Sequence, residues 1–361
     1  MIKGNKGEWS EFYAFLKILT DGKMFTADKD LEILRDNFYI VLKIIREETN
    51  GKKSYDISKG DGKIVIKDDV VSGLNDVVEI EKIKNRVVDI FEKMKNSRNT
   101  TFEISLAEKT MKDLHCSQIK ASSGRKADLM IVLHDKKSPA FPELGFSIKS
   151  MLGSPSTLLN ASGATNFIYS VIDYSDVNED SASCNGALTV RDKASHIYGS
   201  GGCLKYCGMD SEGFRKNLRK IDSKFPEIIA EIIKSYYNGK GSKISDLVNY
   251  ISEDTEFCAK LDFNKSDFVF KVKRFLSDVA LGMTPKKEWD GYAKAHGGYI
   301  IVKENGEIVC YHIYNRDEFE EYLYNNTKLD TPSTTRHKFG YVYKENEEKK
   351  IKYNLQIRFI K

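Results

Sequence analysis

The chain has 361 residues, of which 40% are apolar and 30% are charged. This composition is typical of a folded globular protein with a sizeable core, and it excludes a disordered or fibrous chain. Lysine and arginine number 57 against 53 acidic residues, so the net charge is only +4. That balance excludes a histone-like or tail-type nucleic-acid binder but allows a folded enzyme with a local basic cleft.

Six cysteines are scattered along the chain, and charged residues stand close to its start. Both features predict reduced thiols in a cytosolic protein. No apolar run approaches the roughly 20 residues that a membrane helix needs, so no membrane association is expected. Cys203 and Cys207 form a C-x3-C pair near His196, which leaves a zinc site open. A second ligand pair is missing, and this favours buried thiols instead.

The first part of the chain alternates helical and β-type patterns. Apolar residues at helical spacing predict a helix at 7–19. A β-rich run follows at 38–45, and then a hairpin-like stretch with arms at 52–57 and 63–67. Two further helices are predicted, at 75–95 and at 102–114.

From about residue 117 short apolar runs alternate with small polar linkers. This texture predicts strands at 117–121, 128–133, 145–150 and 166–172, with a helix opening at 156–161. The segment 173–202 is rich in Ser, Asp, Asn and Gly and is the best candidate boundary. It divides the chain into predicted regions 1–175 and 176–361.

Beyond the boundary the pattern becomes helical and then β-rich. Helices are predicted at 212–237, 242–252, 266–283 and 316–324, and β-rich sections at 299–314 and 339–359. Strands and helices mixed in uneven order predict an α/β or α+β architecture.

The motif that carries chemistry is G-R-K-A-D-L-M-I-V-L-H-D followed by G-F-S-I-K-S. Asp128 begins one apolar strand, and Lys149 lies 21 residues later in another. A hairpin of that size brings both to one end of a twisted sheet, with Ser147 on the same face as Lys149. Phosphodiester hydrolysis needs a carboxylate that holds a metal and a cation that orients water and offsets charge at phosphorus. The pair therefore predicts an Mg²⁺-dependent site.

These residues resemble the P-D-(D/E)-x-K nuclease superfamily and, more narrowly, the HpaII-type restriction endonucleases. The resemblance extends along the chain in G-N-K-G-E-W-S-E, G-F-S-I-K-S, T-L-L-N-A-S, T-N-F, R-H-K-F-G and N-L-Q-I-R-F. It implies a restriction-endonuclease-like mixed central sheet flanked by helices, with region 1–175 catalytic and region 176–361 used for DNA recognition and dimerisation. It also implies a cytoplasmic type II enzyme that cuts double-stranded DNA at a short C·G-rich palindrome such as CCGG. A homodimer is the simplest way to cut a palindrome, although a monomer acting twice is an alternative.

The chain departs from the superfamily motif at two positions. Ala127 replaces the proline, and Ser147 replaces the second carboxylate, so another carboxylate must help to hold the metal. Superfamily members often supply a glutamate from the first helix as G-x-x-x-E, which Gly7 to Glu11 matches. Glu143, in the same hairpin, is the alternative metal ligand.

DNA contacts are predicted on both sides of the catalytic motif. Arg125 and Lys126 lie in a small basic loop before the catalytic aspartate, where they could clamp the phosphate backbone. Asn160 and Asn166 follow the lysine strand and could reach the backbone or base edges. Capping and turn bonding are the alternative roles for these asparagines.

A second predicted DNA surface is the late loop T-P-S-T-T-R-H-K-F-G. Arg336 could bond to guanine O6 and N7 together. Thr335, His337 and Lys338 could bind phosphates or base edges. A solvated hairpin loop is the alternative interpretation.

Two other functions remain open on the sequence alone. One is a repair or junction-resolving nuclease of the same fold. The other is a catalytically weak DNA-binding protein, which Ser147 keeps open. At single residues, Asp128 could instead bond within a turn, and Lys149 could extend from a sheet end into water.

Overall fold

The structure is a computed structural model that describes residues 2–49, 51–68, 75–121, 127–134, 141–174, 189–312 and 315–360. The chain divides into two compact units. Unit 1 comprises Met1–Ser156, Ala293–Tyr322 and Lys361, and unit 2 comprises Thr157–Tyr292 and Leu323–Ile360. This division differs from the predicted regions 1–175 and 176–361, because a segment from late in the chain completes the sheet of unit 1.

The secondary structure mixes strands and helices throughout. The strands, numbered along the chain, are β1 (Lys23–Ala27), β2 (Ile33–Glu48), β3 (Gly51–Asp56), β4 (Lys63–Asp68), β5 (Asn75–Glu79), β6 (Leu129–His134), β7 (Glu143–Ser150), β8 (Thr157–Leu159), β9 (Asn166–Ile172), β10 (Cys203–Met209), β11 (Gly298–Val302), β12 (Ile308–His312), β13 (Thr327–Leu329), β14 (Val342–Glu345), β15 (Glu348–Asn354) and β16 (Ile357–Phe359). The helices are α1 (Lys6–Asp21), α2 (Ile80–Asn96), α3 (Ser105–Asp113), α4 (Val190–Gly199), α5 (Glu212–Arg219), α6 (Phe225–Tyr237), α7 (Ile244–Ser252), α8 (Thr255–Leu261), α9 (Lys265–Leu281), α10 (Arg316–Asn325) and α11 (Thr334–His337). The architecture is therefore mixed α/β, as the sequence predicted.

Unit 1 contains a nine-stranded sheet in the order β1-β12-β11-β7-β6-β2-β3-β4-β5. The pairs β7–β11 and β1–β12 are parallel, and the remaining pairs are antiparallel. Helices α1, α2 and α3 share one hydrophobic core with this sheet. The core is rich in aromatic side chains, among them Trp9, Phe12, Phe15, Tyr55 and Phe146.

Helix α1 is fixed at both ends. Asn5 and Glu8 form a reciprocal capping box, with the Glu8 N–H donating to Asn5 Oδ1 at 3.0 Å and the Asn5 N–H donating to Glu8 Oε2 at 2.8 Å. The helix ends at Gly22, whose left-handed backbone (φ 62°) suits a residue without a side chain. Ser10 Oγ donates to Ser150 Oγ at 2.8 Å, so α1 is tied to the end of β7.

Unit 2 contains two smaller sheets and most of the later helices. One sheet has the order β10-β9-β15-β14, and the other has the order β13-β16-β8. The predicted helix at 156–161 is wrong, because Thr157 and Leu159 pair with β16 near the end of the chain. A local helix pattern there is overridden by a long-range strand pairing.

Two other element predictions need correction. The segment 75–95 begins as the edge strand β5 before it turns into α2. The segment 117–121 forms no strand, because side chains of β2, rather than a sheet ladder, bind its backbone. None of the helices that the structure describes has both the length and the apolar character required to cross a membrane.

Candidate active site

Asp128 lies immediately before β6, opposite the middle of β7. Its N–H donates to the Phe146 carbonyl at 2.8 Å, which continues the β6–β7 ladder. Its Oδ2 accepts the Ile148 N–H at 2.7 Å and the Ser147 hydroxyl at 3.1 Å. Ser147 therefore orients the Asp128 carboxylate through this hydrogen bond. A serine can do so, although it cannot act as a charged metal ligand. Asp128 Oδ1 takes no part in these two bonds.

Lys149 lies two residues after Ser147 on β7, which pairs with the parallel strand β11. Its ammonium is 5.5 Å from the centre of the Tyr299 ring. Burial lowers the pKa of Lys149, and the negative charges of Asp128 and Glu11 oppose that shift. The structure thus places Asp128 and Lys149 on neighbouring strands in the middle of the sheet, where their charges interact. Their catalytic roles stay a prediction.

Glu11 reaches the same place from helix α1. Its side chain is 16% exposed, and its Oε2 is buried with no hydrogen-bond partner among the residues that the structure describes. Burial and the neighbouring charge of Asp128 raise the pKa of Glu11 to about 7, and the positive charges of Lys120 and Lys149 partly offset the shift. The fold therefore brings together the two carboxylates that the sequence analysis joined only by resemblance.

Lys120 is a site residue that the sequence analysis missed. Its ammonium is 3.3 Å from Glu11 Oε1, and its charge also interacts with Asp128 and Lys149. Burial lowers its pKa, but the charges of Glu11 and Asp128 outweigh burial, so the pKa is raised. The available signal was weak: a lysine eight residues before Asp128, in a segment predicted as an ordinary strand.

The donor set of this site fits a magnesium ion. Mg²⁺ commonly takes one or two carboxylates and completes its shell with water and substrate phosphate. Asp128 and Glu11 supply two carboxylates, and Oε2 of Glu11 is a buried acceptor that no described residue occupies. Among the described residues, no group of three or more His, Cys, Asp or Glu side chains could hold a metal by itself. The protein would therefore depend on water and phosphate to complete the coordination.

Glu143, the alternative ligand, is not brought to this centre. It is exposed at the start of β7, opposite Val132. Glu143 lies four positions before Ser147, and four positions along a strand span about 13 Å. Arg125 and Lys126 lie outside the described residues.

The late loop predicted to bind DNA forms a short helix, α11, in unit 2. Ser333 caps the helix by accepting the Arg336 N–H at 3.4 Å. Arg336 and Lys338 are both exposed, and neither forms an ion pair with a residue that the structure describes. Hydrogen bonds with the Thr334 and Thr335 hydroxyls lower the pKa of the exposed Tyr341 phenol. Arg336 and Lys338 are thus free to meet an external partner.

Asn166 lies beneath this helix, in the interior of unit 2. It is 1% exposed, and its amide nitrogen donates to Asp210 Oδ2 at 2.9 Å and to the His337 carbonyl at 3.0 Å. Asn354 Nδ2 donates to Asn166 Oδ1 at 2.6 Å and to the Ser162 carbonyl at 2.8 Å. This placement favours the structural role that the sequence analysis held as the alternative for Asn166.

Asn160 is exposed directly after β8, so it is available to a ligand. The network beneath α11 joins segments that are far apart in the sequence. Asn166, His337 and Asn354 come from T-N-F, R-H-K-F-G and N-L-Q-I-R-F, three segments that carried the family resemblance. They meet at one place in unit 2.

Comparison with known proteins identifies the family. The model of the HpaII restriction endonuclease family matches residues 5–359. The type II restriction enzyme HpaII of Haemophilus parainfluenzae is 41% identical over 360 residues, which cover 99% of each chain. The chain belongs to the HpaII restriction endonuclease family. No solved structure matches it.

Membership of the HpaII family decides between the interpretations that the sequence left open. The protein is a type II restriction endonuclease, a hydrolase that acts on DNA at specific sites. The resemblance noted in the sequence is confirmed, whereas a repair nuclease or a non-enzymatic binding protein is not favoured.

The cysteines of this HpaII-family enzyme differ from the expectation in one respect. Cys203 and Cys207 are free and exposed on the edge strand β10, so the prediction of buried thiols is wrong for this pair. Their strand carries alternating side chains to the outside, which the C-x3-C spacing alone does not reveal.

Proposed function

We propose that this enzyme hydrolyses phosphodiester bonds of double-stranded DNA with Mg²⁺ held by Asp128 and Glu11. The observation that carries the proposal is the buried Oε2 of Glu11, which has no partner in the described part of the chain and whose carboxylate interacts with that of Asp128. The charges of these two carboxylates repel each other, and a bound cation would relieve that repulsion. When bound there, the metal ion supplies Lewis-acid polarisation of the phosphate and a more acidic water.

The chain's own residues divide the remaining work. Ser147 and the Ile148 N–H hold one oxygen of Asp128, so the carboxylate cannot rotate freely. Lys149 extends from the neighbouring position of the same strand, where its ammonium offsets the charge that develops at phosphorus and orients the attacking water. Burial of Lys149 strengthens this effect, because charges interact more strongly where water is excluded.

The fold of unit 1 supports this assignment. A mixed sheet presents Asp128 and Lys149 from adjacent strands, and α1 adds Glu11 from one face. We infer that this sheet with its helices is a P-D-(D/E)-x-K core of the restriction-endonuclease type, in which the helix glutamate replaces the carboxylate lost at Ser147. The exposed position of Glu143 at the start of β7 does not support the alternative that Glu143 is the second metal ligand.

We propose that α11 reads or grips the DNA. Arg336 is exposed, and a guanidinium bonded to guanine O6 and N7 is the commonest specific contact with a base. Lys338 and Thr335 flank it as candidate phosphate contacts. Asn160, Arg125 and Lys126 are further candidate contacts from other parts of the chain. A guanine-reading arginine is consistent with a short C·G-rich palindrome such as CCGG.

A palindromic target also implies a two-fold assembly, so we propose that the active form is a homodimer. We further propose a cytoplasmic location. Free thiols at Cys116, Cys203, Cys207, Cys258 and Cys310 support it, because such thiols persist in reducing compartments.

The metal site is tested by two substitutions that preserve shape. Asp128→Asn keeps an oxygen that can accept the Ile148 N–H, and Lys149→Met keeps most of the side-chain volume. Each should reduce plasmid cleavage in Mg²⁺ by about two orders of magnitude or more. Wild-type cleavage should stop in excess EDTA. Asp21→Asn, which removes a carboxylate paired with Lys17 at the other end of α1, is the matched control and should cleave normally. Cleavage by Asp128→Asn at the wild-type rate, or full cleavage in EDTA, would contradict the proposal.

A further inference from the structure

A buried ion pair on β2 fixes the segment that leads to Lys120. Arg46 Nε and Glu48 Oε1 are 3.1 Å apart, and both side chains are at most 1% exposed. The Arg46 guanidinium donates to the carbonyls of Gln118 and Ile119 at 3.0 and 3.1 Å. The Glu48 carboxylate accepts hydrogen bonds from the N–H and the hydroxyl of Ser117 at 2.8 and 2.6 Å. Buried charges are costly unless they are well bonded, so this arrangement holds the backbone beside the catalytic centre firmly.

The side chain of Lys120 is held much less firmly than its backbone. It is 46% exposed, and its ammonium is 3.3 Å from Glu11 Oε1. Lys149, in contrast, extends from the middle of the sheet, and its ammonium lies over the Tyr299 ring. Of the two cations beside the carboxylates, Lys120 is the one that can turn into solvent without disturbing a strand.

The balance of charge shows why such freedom matters. With Glu11 ionised, the described residues of the centre contribute two carboxylates, Glu11 and Asp128, and two ammonium groups, Lys120 and Lys149. A divalent cation added to these four groups would leave an excess positive charge of two among them. Withdrawal of one ammonium from the carboxylates reduces this excess.

We propose that Lys120 is a displaceable counter-ion of the catalytic centre. It neutralises Glu11 when no metal is bound, withdraws when a divalent metal binds, and then pairs with a phosphate of the DNA. The inference rests on the proposed metal site at Asp128 and Glu11. Because the phosphate receives the released ammonium, metal binding and DNA binding favour each other, and this coupling acts equally in both directions.

The first test is the affinity of the DNA-free enzyme for Mn²⁺, titrated calorimetrically at pH 8.5. Lys120→Met should bind Mn²⁺ about two- to tenfold more tightly than wild type, because half-exposed ion pairs are of modest strength. The matched control is Lys17→Met, which removes a lysine paired with Asp21 on α1 and should leave the affinity unchanged. Equal or weaker Mn²⁺ binding by Lys120→Met would overturn the inference. Thermal melting checks that each variant is folded.

Two further variants separate this inference from the metal site itself. Glu11→Gln should weaken Mn²⁺ binding. Adding Lys120→Met to it should raise the affinity less than the same change does in the wild-type background, because the carboxylate that pairs with Lys120 is already gone. If Glu11→Gln and Asp128→Asn both leave Mn²⁺ binding intact, the metal site lies elsewhere and both proposals fail. If those variants lose Mn²⁺ but Lys120→Met equals wild type, only the counter-ion role fails.

The second test is DNA binding, measured with and without Ca²⁺ at several salt concentrations. With Ca²⁺ present, Lys120→Met should bind duplex DNA more weakly and with a salt slope smaller by about one, since one phosphate contact is lost. Without Ca²⁺ the variant and the wild type should bind alike, because the wild-type ammonium then remains on Glu11. A loss of affinity that is the same in both conditions would show an ordinary phosphate contact and overturn the coupling.

Discussion

Glu11 occupies a position in which a carboxylate is costly to ionise. It is largely buried, it is close to Asp128, and one of its oxygens has no partner among the described residues. These conditions raise its pKa to about 7 in the absence of metal. At the residue scale, the site therefore stores an unfavourable interaction that a bound cation would relieve.

The stability of the metal-free enzyme should reveal this group. Because the folded-state pKa of Glu11 is raised from an ordinary value of 4.5, the linked stability is fully present below about pH 4.5 and is lost as the pH rises through about 7. Glu11→Gln does not titrate, so in EDTA it should gain in melting temperature over wild type between pH 5 and pH 8. Glu256→Gln, on an exposed position of α8, is the control. Identical pH profiles for wild type and Glu11→Gln would rule out the raised pKa.

The residues differ in how well the sequence predicted them. Asp128 and Lys149 could be paired because two short strands separated by one loop have few ways to fold. Glu11 was indicated only through the helix motif of the family. Lys120 could not be found, since its position depends on Arg46 and Glu48, which lie more than 70 residues earlier and read as ordinary charges on a strand.

Helix α11 is the element on which DNA recognition depends in this account. Arg336→Ala should cost about 1–3 kcal/mol in binding to the cognate duplex and little in binding to a scrambled one. Lys338→Asn should weaken binding to both duplexes alike. Asparagine is the suitable replacement because Lys338 has a left-handed backbone (φ 53°). Binding is measured in Ca²⁺ to prevent cleavage. If Arg336→Ala lowers both affinities equally, the arginine contacts phosphate and specificity lies elsewhere.

The amide network beneath α11 should be needed for that recognition. Asn354→Leu leaves the buried Asn166 Oδ1 without the donor that the Asn354 amide supplies. An unsatisfied buried group costs about 1–3 kcal/mol, which urea denaturation can measure. At urea concentrations too low to unfold it, the variant should also discriminate less between cognate and scrambled duplexes. A destabilised variant with unchanged discrimination would limit the network to a role in stability.

At the element scale, prediction succeeded where the pattern was local. The helix predicted at 7–19 is α1, and the strands around Asp128 and Lys149 are β6 and β7. Prediction failed at β8, where a polar, proline-containing start suggests a helix but the strand partner lies about 200 residues away. A strand pairing between segments so far apart leaves no periodic trace in the local sequence.

At the scale of the whole molecule, the chain leaves unit 1 after Ser156 and returns to it at Ala293–Tyr322. The returning segment supplies β11 and β12, which complete the sheet beside Lys149. Composition alone places the boundary in the Ser- and Gly-rich segment 173–202. Composition cannot reveal that strands from later in the chain belong to the sheet of unit 1.

The proposed homodimer is tested by sedimentation of the full chain. The species that binds a palindromic duplex in Ca²⁺ should contain two chains, with a protein mass twice the 41.1 kDa of one chain. A single chain on each duplex would instead favour two successive cuts by a monomer.

The most direct measurement is the sequencing of DNA ends after digestion of a plasmid in Mg²⁺. Every end should fall at one short palindrome, cut at symmetric positions on the two strands, and Asp128→Asn should yield none of these ends. Ends scattered over unrelated sequences, or the same ends from Asp128→Asn, would contradict the proposed function.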